Sequence, residues 1–256
     1  TNMQTPEYFN IEPYKAPELI GLQEWINSDQ LTLESLRGKV VLIDFWTYSC
    51  INCVRTLPYI QGWYDTYKDD GFVVLGIHAP EFAFEKDTNN VLKAIDQFKI
   101  HYPVAQDNDY QTWDAYSNRY WPAEYLIDSK GTIRRVHFGE GEYDKMEEAI
   151  QLLLKEAGAQ VDSDKVQITE QTPRSEQSPE TYLGSKRMLY LIPGGKAKSG
   201  QQTFQMQPEV PLNKFSYGGT WNVMDEYSTA VSNATLKYRF TAGKVFLVMK
   251  PGQTPG

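Results

Sequence analysis

The chain contains two cysteines, Cys50 and Cys53, which lie close together in the stretch DFWTYSCINCVRTLP. Two thiols at this spacing can form a redox disulfide, supply half of a metal site, clip a short loop or occur by chance. A zinc site needs about four ligands, whereas this chain has no second such pair and only three histidines. A clip across so short a loop removes little chain entropy. We therefore expect dithiol–disulfide chemistry.

The elements around the cysteines place them between a strand and a helix. They follow a nearly continuous apolar run, KVVLIDFW, which is typical of a strand buried on both faces of a sheet. After them comes VRTLPYIQGWYDTYK, with apolar residues at helical spacing. The unpaired N–H groups and the dipole at a helix start favour a thiolate at Cys50. Cys53, one turn later, would face it and could resolve a mixed disulfide.

Three segments differ in character along the chain. Residues 1–160 alternate strand and helix signals, which predicts an α/β unit with a central sheet. Residues 161–178 are polar and lack periodicity, so we interpret them as a linker. Residues 179–256 carry mostly β signals between Gly, Pro and Asn turns, which predicts an all-β, sandwich-like module. Further strands are expected after the terminal PGQTPG, so this module is expected to be cut short.

Several local signals inside the first unit predict element boundaries. A helix over DTNNVLKAIDQFKI is expected to begin near Asp87 or Thr88. Asp128 to Gly131 form a turn between two strands, AEYLID and GTIRRVHF. The helix YDKMEEAIQLLLKEAG is expected to end with Gly158 just past its last turn.

Composition excludes some partners. The net charge of −8 and a pI near 5.0 argue against nucleic acid and an anionic membrane surface. No apolar run approaches the roughly 18 residues of a membrane span. The chain begins at Thr1 with no signal segment, so we expect a processed form or an excised soluble part of a longer protein.

The cysteine segment VVLIDFWTYSCINCVRTLP resembles the active-site segment of the thioredoxin superfamily. Asp44 lies where these proteins have a buried acid before the first cysteine, Cys50. Trp46 lies where they have a tryptophan beside the site, and Pro58 where they kink the helix after Cys53. The resemblance implies a thioredoxin-like fold.

Downstream, YWPAEYLIDSKGTIRRVHFGEGEYD resembles the cis-proline segment of that superfamily, with Trp121 and Pro122 at the X-Pro bond. The long stretch before it suits the TlpA-like, peroxiredoxin-related branch, in which DTNNVLKAIDQFKIHYPVAQD is an inserted helix and strand. The chain departs from these patterns at Ile51 and Asn52, which replace Gly-Pro. It also departs at Thr56, where TlpA-like proteins often carry Glu.

Over its whole length the pattern resembles the soluble C-terminal region of DipZ-type proteins. In those proteins a CcdA/DsbD-like membrane part of the same polypeptide supplies electrons. The resemblance implies a membrane-tethered location outside the cytoplasm of a bacterium and clients that are exported proteins with disulfides. It also implies that the β module resembles a carbohydrate-binding module, so that carbohydrate is a further candidate partner.

The resemblance implies a role for each position that matches the pattern of the superfamily. Cys50 is the expected nucleophile and Cys53 the resolving thiol. Asp44, with its pKa raised by burial, would take the proton from Cys53; otherwise it is a strand-edge aspartate bound by backbone donors. Pro122 would present a backbone edge that pairs with a client strand; otherwise it is an ordinary turn proline.

Four further residues are expected to contact substrate around the sulfurs: Trp46, Ile51, Asn52 and Trp121. The two tryptophans fit a role in core packing equally well.

The remaining candidates are weaker. Glu81 and Glu85 either relay protons or, as we favour, are solvated surface carboxylates, and His78 is expected to pack rather than to catalyse. Four aromatic residues of the β module either form a platform for sugar or peptide or, as we favour, fill a core: Tyr182, Trp221, Tyr227 and Tyr238.

We therefore expect an extracytoplasmic thiol–disulfide oxidoreductase that reduces exported proteins and uses no cofactor beyond its own redox disulfide. One alternative is a thiol peroxidase, for which Thr47 fits the motif but Ile43 occupies the place of its proline. Another is a non-catalytic protein that binds the cell envelope or carbohydrate.

Overall fold

The computed structural model describes residues 8–161 and 164–250, which form two compact units. The boundary between the units falls between Thr172 and Pro173. Among the described residues, no helix is both long enough and apolar enough to cross a membrane.

A seven-stranded sheet forms the centre of the first unit. Its strands are β1 (Tyr14–Lys15), β2 (Gln23–Ile26), β3 (Val40–Trp46), β4 (Phe72–His78), β5 (Val104–Gln106), β6 (Ala123–Ile127) and β7 (Thr132–Phe138). Their order across the sheet is β1-β7-β6-β3-β4-β5-β2. β3, β4 and β5 run parallel, whereas β6 pairs antiparallel with both β3 and β7.

Three α-helices lie between these strands, α1 (Ile51–Tyr67), α2 (Thr88–Phe98) and α3 (Gln111–Ala115), and a fourth, α4 (Tyr143–Glu156), follows β7. The predicted start of α2 is confirmed, since the Asp87 side chain accepts a hydrogen bond from the Asn89 N–H at 2.9 Å. Gly158 follows the C-cap of α4 with φ +97°, also as predicted. α2 and β5 are the inserted helix and strand that the resemblance implied.

β3 lies in the middle of the sheet, and its alternate residues enter two different cores. Leu42 packs in the core formed with α1 and α4, whereas Ile43 packs in the core on the opposite face. This alternation follows from the two-residue period of a strand. It places Asp44 on the same face as Leu42, towards α1.

The first unit extends further along the chain than the sequence indicated. Val166 and Ile168, inside the predicted linker, pack against the core of α1 and α4. The Val166 N–H donates to Glu147 at 2.8 Å, and Gly62 leaves room for the Val166 side chain. The predicted boundary at residue 160 therefore falls inside the unit, because two apolar side chains hold the following segment onto it.

The second unit contains a three-stranded antiparallel sheet with strand order β10-β9-β8. Its strands are β8 (Gly200–Phe204), β9 (Lys214–Val223) and β10 (Ser228–Arg239). The β-rich character is as predicted, but residues 187–192 form only isolated bridges at Leu191, and β10 ends at Arg239 although strand signals continue to residue 250. Residues 245–249 are exposed rather than paired. The strands expected beyond PGQTPG lie outside the described residues.

Candidate active site

Cys50 is the N-cap of α1, and its sulfur faces the first turn of the helix. Its backbone is extended (φ −77°, ψ 110°), and the Cys53 N–H donates to the Cys50 sulfur at 3.3 Å. This contact is the helix-start arrangement that the sequence predicted, and such a donor stabilises negative charge on sulfur. Cys50 is half-buried, so the sulfur remains within reach of a partner.

Cys53 is a different kind of thiol, because it is buried beneath Cys50. Burial raises the pKa of Cys53 well above its usual range, and the hydrogen bond and charge of Cys50 raise it further. The charge of Asp44 adds to the rise, while a backbone group of Thr47 opposes it. The two thiols of the pair are therefore unequal, and Cys53 needs a base before it can attack.

Asp44 provides a buried carboxyl that can act as the base for Cys53. It is 1% exposed on β3, and burial raises its pKa to about 7. Its Oδ1 atom has no hydrogen-bond partner among the described residues, which argues against an aspartate held by backbone donors. A carboxyl that titrates near pH 7 can accept and release a proton under physiological conditions.

The Trp121–Pro122 peptide bond is cis, as the resemblance implied. The Pro122 carbonyl accepts from the Gly139 N–H at 2.9 Å. Trp121 is half-buried, its indole Nε1 donates to the Ala79 carbonyl at 3.0 Å, and its ring lies 4.4 Å from that of Trp113. Trp121 is thus held at the surface of both cores.

Trp46 lies in the interior and not at the surface around the sulfurs. It is 0% exposed and packs edge-on against His78, with ring centroids 5.1 Å apart. The absence of a side chain at Gly76 makes room for it, since a Cβ there would lie 3.1 Å from the Trp46 Nε1. The prediction that Trp46 contacts substrate is therefore corrected, because its ring is enclosed in the core formed with α1 and α4.

His78 packs in the interior, as favoured from the sequence. Burial lowers its pKa to about 3, so the ring is neutral at physiological pH. Its Nε2 lies 3.3 Å from the Thr47 hydroxyl, and the ring of Tyr48 stacks on it at 5.6 Å. His78 thus supports the loop that leads from β3 to Cys50.

Glu85 is buried, which corrects our preference for a solvated carboxylate. It is 0% exposed, and its carboxylate accepts from the Ser49 hydroxyl at 2.5 Å and from the Ser49 N–H at 3.3 Å. The N–H groups of Glu81 and Phe82 donate to its other oxygen at 2.6 and 2.9 Å. A 3-10 turn over Ala83–Lys86 directs the side chain inward. Glu85 therefore ties the residue before Cys50 to the loop after β4, whereas Glu81 is half-buried.

An ion pair that was not predicted from the sequence lies beside Asn52, between the two cysteines. Arg55 makes two hydrogen bonds to Glu140, Nε to Oε1 at 2.7 Å and Nη2 to Oε2 at 2.9 Å. The Arg55 Nη2 also donates to the Asn52 side-chain oxygen at 2.9 Å. Asn52 and Ile51 are half-buried, so Arg55 orients the middle of the motif and brings positive charge near Cys50. A basic residue two positions after Cys53 was the available signal.

The four aromatic residues that were candidates for a binding platform in the second unit have different surroundings. Trp221 lies in the core and stacks on Tyr217 at 4.5 Å, as favoured. Tyr227 is exposed, Tyr238 accepts from the Thr181 hydroxyl at 3.1 Å, and Tyr182 lies under the Arg187 guanidinium.

The strand order of the first unit and the position of the thiol pair at its first helix together define the thioredoxin fold in its redox-active form. Comparison with known proteins agrees. Residues 14–136 match the AhpC/TSA family, and residues 178–256 match the thioredoxin like C-terminal domain. The chain is 31% identical to the thiol-disulfide oxidoreductase YkuV of Bacillus subtilis, over 55% of this chain and 94% of YkuV.

A crystal structure of a thioredoxin-like superfamily protein superposes with a TM-score of 0.52 at 32% identity, covering 55% of this chain and 96% of the other. The chain therefore belongs to the thioredoxin superfamily, in its TlpA-like branch of thiol–disulfide oxidoreductases. It is also similar to the protein DipZ of Mycobacterium tuberculosis, with 44% identity over 91% of this chain. It spans 35% of the length of that relative.

Proposed function

We propose that this chain reduces disulfides of exported proteins outside the cytoplasm. Electrons come from a CcdA/DsbD-like membrane part of the same polypeptide. The observation that carries the chemistry is the inequality of the two thiols: Cys50 is accessible and faces an N–H donor, whereas Cys53 is buried with its pKa raised. The similarity to DipZ over 91% of the chain supports the location and the electron source.

In the first step, the Cys50 thiolate attacks one sulfur of a client disulfide. A Cys50–client disulfide bond forms, the client S–S bond breaks, and the client's other sulfur leaves as a thiolate that takes a proton from solvent. The Arg55–Glu140 pair supports this step, because it orients Asn52 and adds positive charge near the attacking sulfur.

In the second step, the Asp44 carboxylate takes the proton of Cys53, and the Cys53 sulfur attacks Cys50. The Cys50–Cys53 disulfide forms, and the client's second sulfur leaves as a thiolate, so the client has gained two electrons. The membrane donor then reduces the pair. The exchange uses no cofactor beyond this disulfide.

A client chain is expected to lie along the segment Trp121–Pro122. Trp121 is half-buried and fixed by its bond to Ala79, so it offers a rigid apolar surface. An extended client segment that pairs with this backbone would bring its disulfide to Cys50 by β-addition.

Peroxide reduction is the competing chemistry, because residues 14–136 match the AhpC/TSA family. The geometry favours disulfide exchange. The Thr47 hydroxyl, which fits the peroxidase motif, is buried and engaged with His78 at 3.3 Å. A second thiol already lies one helical turn from Cys50. A peroxide-consumption assay with dithiothreitol is expected to show no turnover above the Cys50→Ser variant.

The direction of electron flow is tested by the equilibrium of the pair with glutathione. We expect a reduction potential near that of thioredoxin, about −270 mV, which suits a reductase. A value near that of DsbA, about −120 mV, would instead make the protein an oxidant.

A further inference from the structure

Glu124 is a second buried carboxyl that the two steps above do not use. It lies on β6 directly opposite Asp44 on β3, and each residue is 1% exposed. Directly opposed residues of antiparallel strands share a face, with Cβ atoms about 5 Å apart. Leu42 and Leu126, which follow the same alternation, both belong to the core of α1 and α4. The two carboxyls are therefore neighbours on the face that carries Cys53.

The same row continues onto β7, where His137 lies directly opposite Glu124. The His137 side chain is 11% exposed, and its Nδ1 lies 3.6 Å from Glu142, whose side chain is 42% exposed. Burial lowers the pKa of His137, which favours the neutral form of its ring. Asp44, Glu124 and His137 thus cross three neighbouring strands, β3, β6 and β7, from the face that carries Cys53 to a histidine that is partly exposed.

The charges around Glu124 act in opposite directions. Burial and the charge of Asp44 raise the pKa of Glu124 well above its usual range, while the charge of Arg135 lowers it. Arg135 is buried on β7 and paired with Glu142. Cys53 on α1 and the phenol of Tyr102, before β5, share this environment. Burial raises the pKa of Tyr102, and the charges of Asp44, Cys53 and Glu124 raise it further.

The two carboxyls of this row each have a buried oxygen without a partner among the described residues, whereas the His137 Nε2 lies 3.3 Å from the Glu140 carbonyl oxygen. Asp44 Oδ1, Glu124 Oε1 and Arg135 Nε lack hydrogen-bond partners within residues 8–161 and 164–250. Two carboxylates this close and this buried cannot both carry charge without a large cost, so such a pair holds one proton and titrates as a unit.

We propose that Asp44 and Glu124 hold one proton between them, and that Glu124 passes the proton released by Cys53 on to His137 and solvent. The inference rests on the proposed function, because it concerns the proton of the resolving thiol. Glu124 is a relay residue: it touches neither sulfur and acts through Asp44.

Before resolution the pair holds one proton and one negative charge. Cys53 gives its proton to the pair as its sulfur bonds to Cys50, and the bond between Cys50 and the client breaks with its electrons on the client sulfur. The pair now holds two protons. It releases one through Glu124 to the neutral ring of His137 and then to solvent, which restores the starting state.

The first test is Glu124→Gln in the whole chain, with the rate of mixed-disulfide resolution measured from pH 5 to pH 9 by quenching and mass spectrometry. The variant keeps the shape of the side chain but cannot titrate. We expect the two shared titration steps of the pair in the wild-type profile to become one, because Asp44 then titrates alone. A profile that superposes on the wild-type profile, in a variant with native circular dichroism, would overturn the relay.

Glu147→Gln is the matched control. Glu147 is also a buried glutamate, but its carboxylate accepts from Tyr67 at 2.7 Å and from the Val166 N–H at 2.8 Å, in α4 rather than in the row. Its loss is expected to lower thermal stability and to leave the pH profile of resolution unchanged. An equal change in both profiles would show that the effect is structural and would contradict the relay.

The second test needs no variant and no turnover. Carbon-13 NMR of the side-chain carboxyls, in the wild-type protein with both cysteines reduced, follows Asp44 and Glu124 directly. We expect both signals to report two shared titration steps. Independent single-step curves would overturn the proposal even if the protein is an active reductase. Shared steps in a protein without disulfide turnover would instead count against the proposed function alone.

Discussion

The two units of the chain differ in whether their buried polar side-chain atoms have hydrogen-bond partners. Within the described residues, every buried side-chain nitrogen or oxygen without a hydrogen-bond partner belongs to the first unit. That unit also buries Asp44, Glu85, Glu124 and Arg135. In the described part of the second unit the buried polar residue is Ser216, which donates to and accepts from its own chain.

This difference indicates where the chemistry takes place. A buried polar atom without a partner costs about 1 to 3 kcal/mol, so such atoms are kept where they have a function. Among them, Asp44 and Glu124 lie on the face of the sheet that carries Cys53, where raised carboxyl pKa values allow proton transfer near neutral pH. The second unit has an ordinary aromatic core around Phe215, Tyr217 and Trp221. We therefore expect substitutions of the buried polar groups in the first unit to change both stability and activity. Substitutions in the core of the second unit should change stability alone.

The largest effect is expected at Asp44. Asp44→Asn removes the base for Cys53 and should slow resolution about 100-fold. Stopped-flow measurements with a peptide disulfide should show that attack by Cys53 is slowed, whereas formation of the mixed disulfide on Cys50 is not. An unchanged resolution rate would show that Asp44 is not the base.

The same substitution should stabilise the fold. Because burial raises the pKa of Asp44 from 3.8 to about 7, the folded chain binds its proton more tightly than the unfolded chain. Stability from this group therefore falls as pH rises from about 4 to 7, and the variant should gain up to about 4 kcal/mol above pH 7. The lowered pKa of His78 acts in the opposite sense, destabilising the fold as pH falls below 6.5 towards about 3. Urea unfolding at pH 5 and pH 8 measures both.

A smaller effect is expected at Glu85. Glu85→Gln leaves one acceptor oxygen for donors from Ser49, Glu81 and Phe82, so we expect a loss of about 2 kcal/mol and a several-fold slower attack by Cys50. Thermal unfolding and the rate of mixed-disulfide formation check these outcomes. Glu148→Gln, which breaks a surface pair with Lys165, is the control and should change neither. Equal behaviour of the two variants would mean that the buried contacts do not hold the Cys50 loop.

Arg55 should show a smaller change still. Arg55→Lys keeps the charge but loses the paired hydrogen bonds to Glu140 and the contact to Asn52. We expect a two- to threefold increase in KM for a peptide disulfide, about 0.5 kcal/mol, with little change in the resolution rate. If Arg55→Gln and Arg55→Lys behave alike, orientation of Asn52 matters and the charge does not.

Trp221 tests whether the core of the second unit contributes to stability without contributing to the chemistry. Trp221→Ala removes a core side chain stacked on Tyr217 and should destabilise the second unit by about 3 to 5 kcal/mol. Insulin reduction is expected to stay at the wild-type rate, while hydrogen exchange increases in β9. A matching fall in reductase activity would show that the second unit takes part in the chemistry.

Local signals were enough to predict part of this molecule. The apolar run of β3 and the helical spacing after Cys53 define the strand–thiol–helix unit without knowledge of distant contacts, and the cap at Asp87 is equally local. The cis peptide bond before Pro122 was predicted from the resemblance alone. These features concern neighbours in sequence or a known pattern, which is why they were predicted correctly.

The rest depends on contacts between distant segments. The inward direction of Glu124 follows from its pairing with β3 and β7, and Glu85 is buried because the loop after β4 meets Ser49. Both look like ordinary surface glutamates in the sequence. In the second unit, residues 187–192 have the composition of a strand, yet Leu191 makes only isolated bridges.

The central claim, that an accessible Cys50 attacks and a buried Cys53 resolves, is tested most directly by trapping. Cys53→Ser and Cys50→Ser variants are mixed with a peptide disulfide at pH 7, and the products are identified by intact-protein mass spectrometry. The account predicts a stable mixed disulfide on Cys50 in Cys53→Ser and almost none in Cys50→Ser. Equal adducts in the two variants, or an adduct on Cys53 alone, would contradict it.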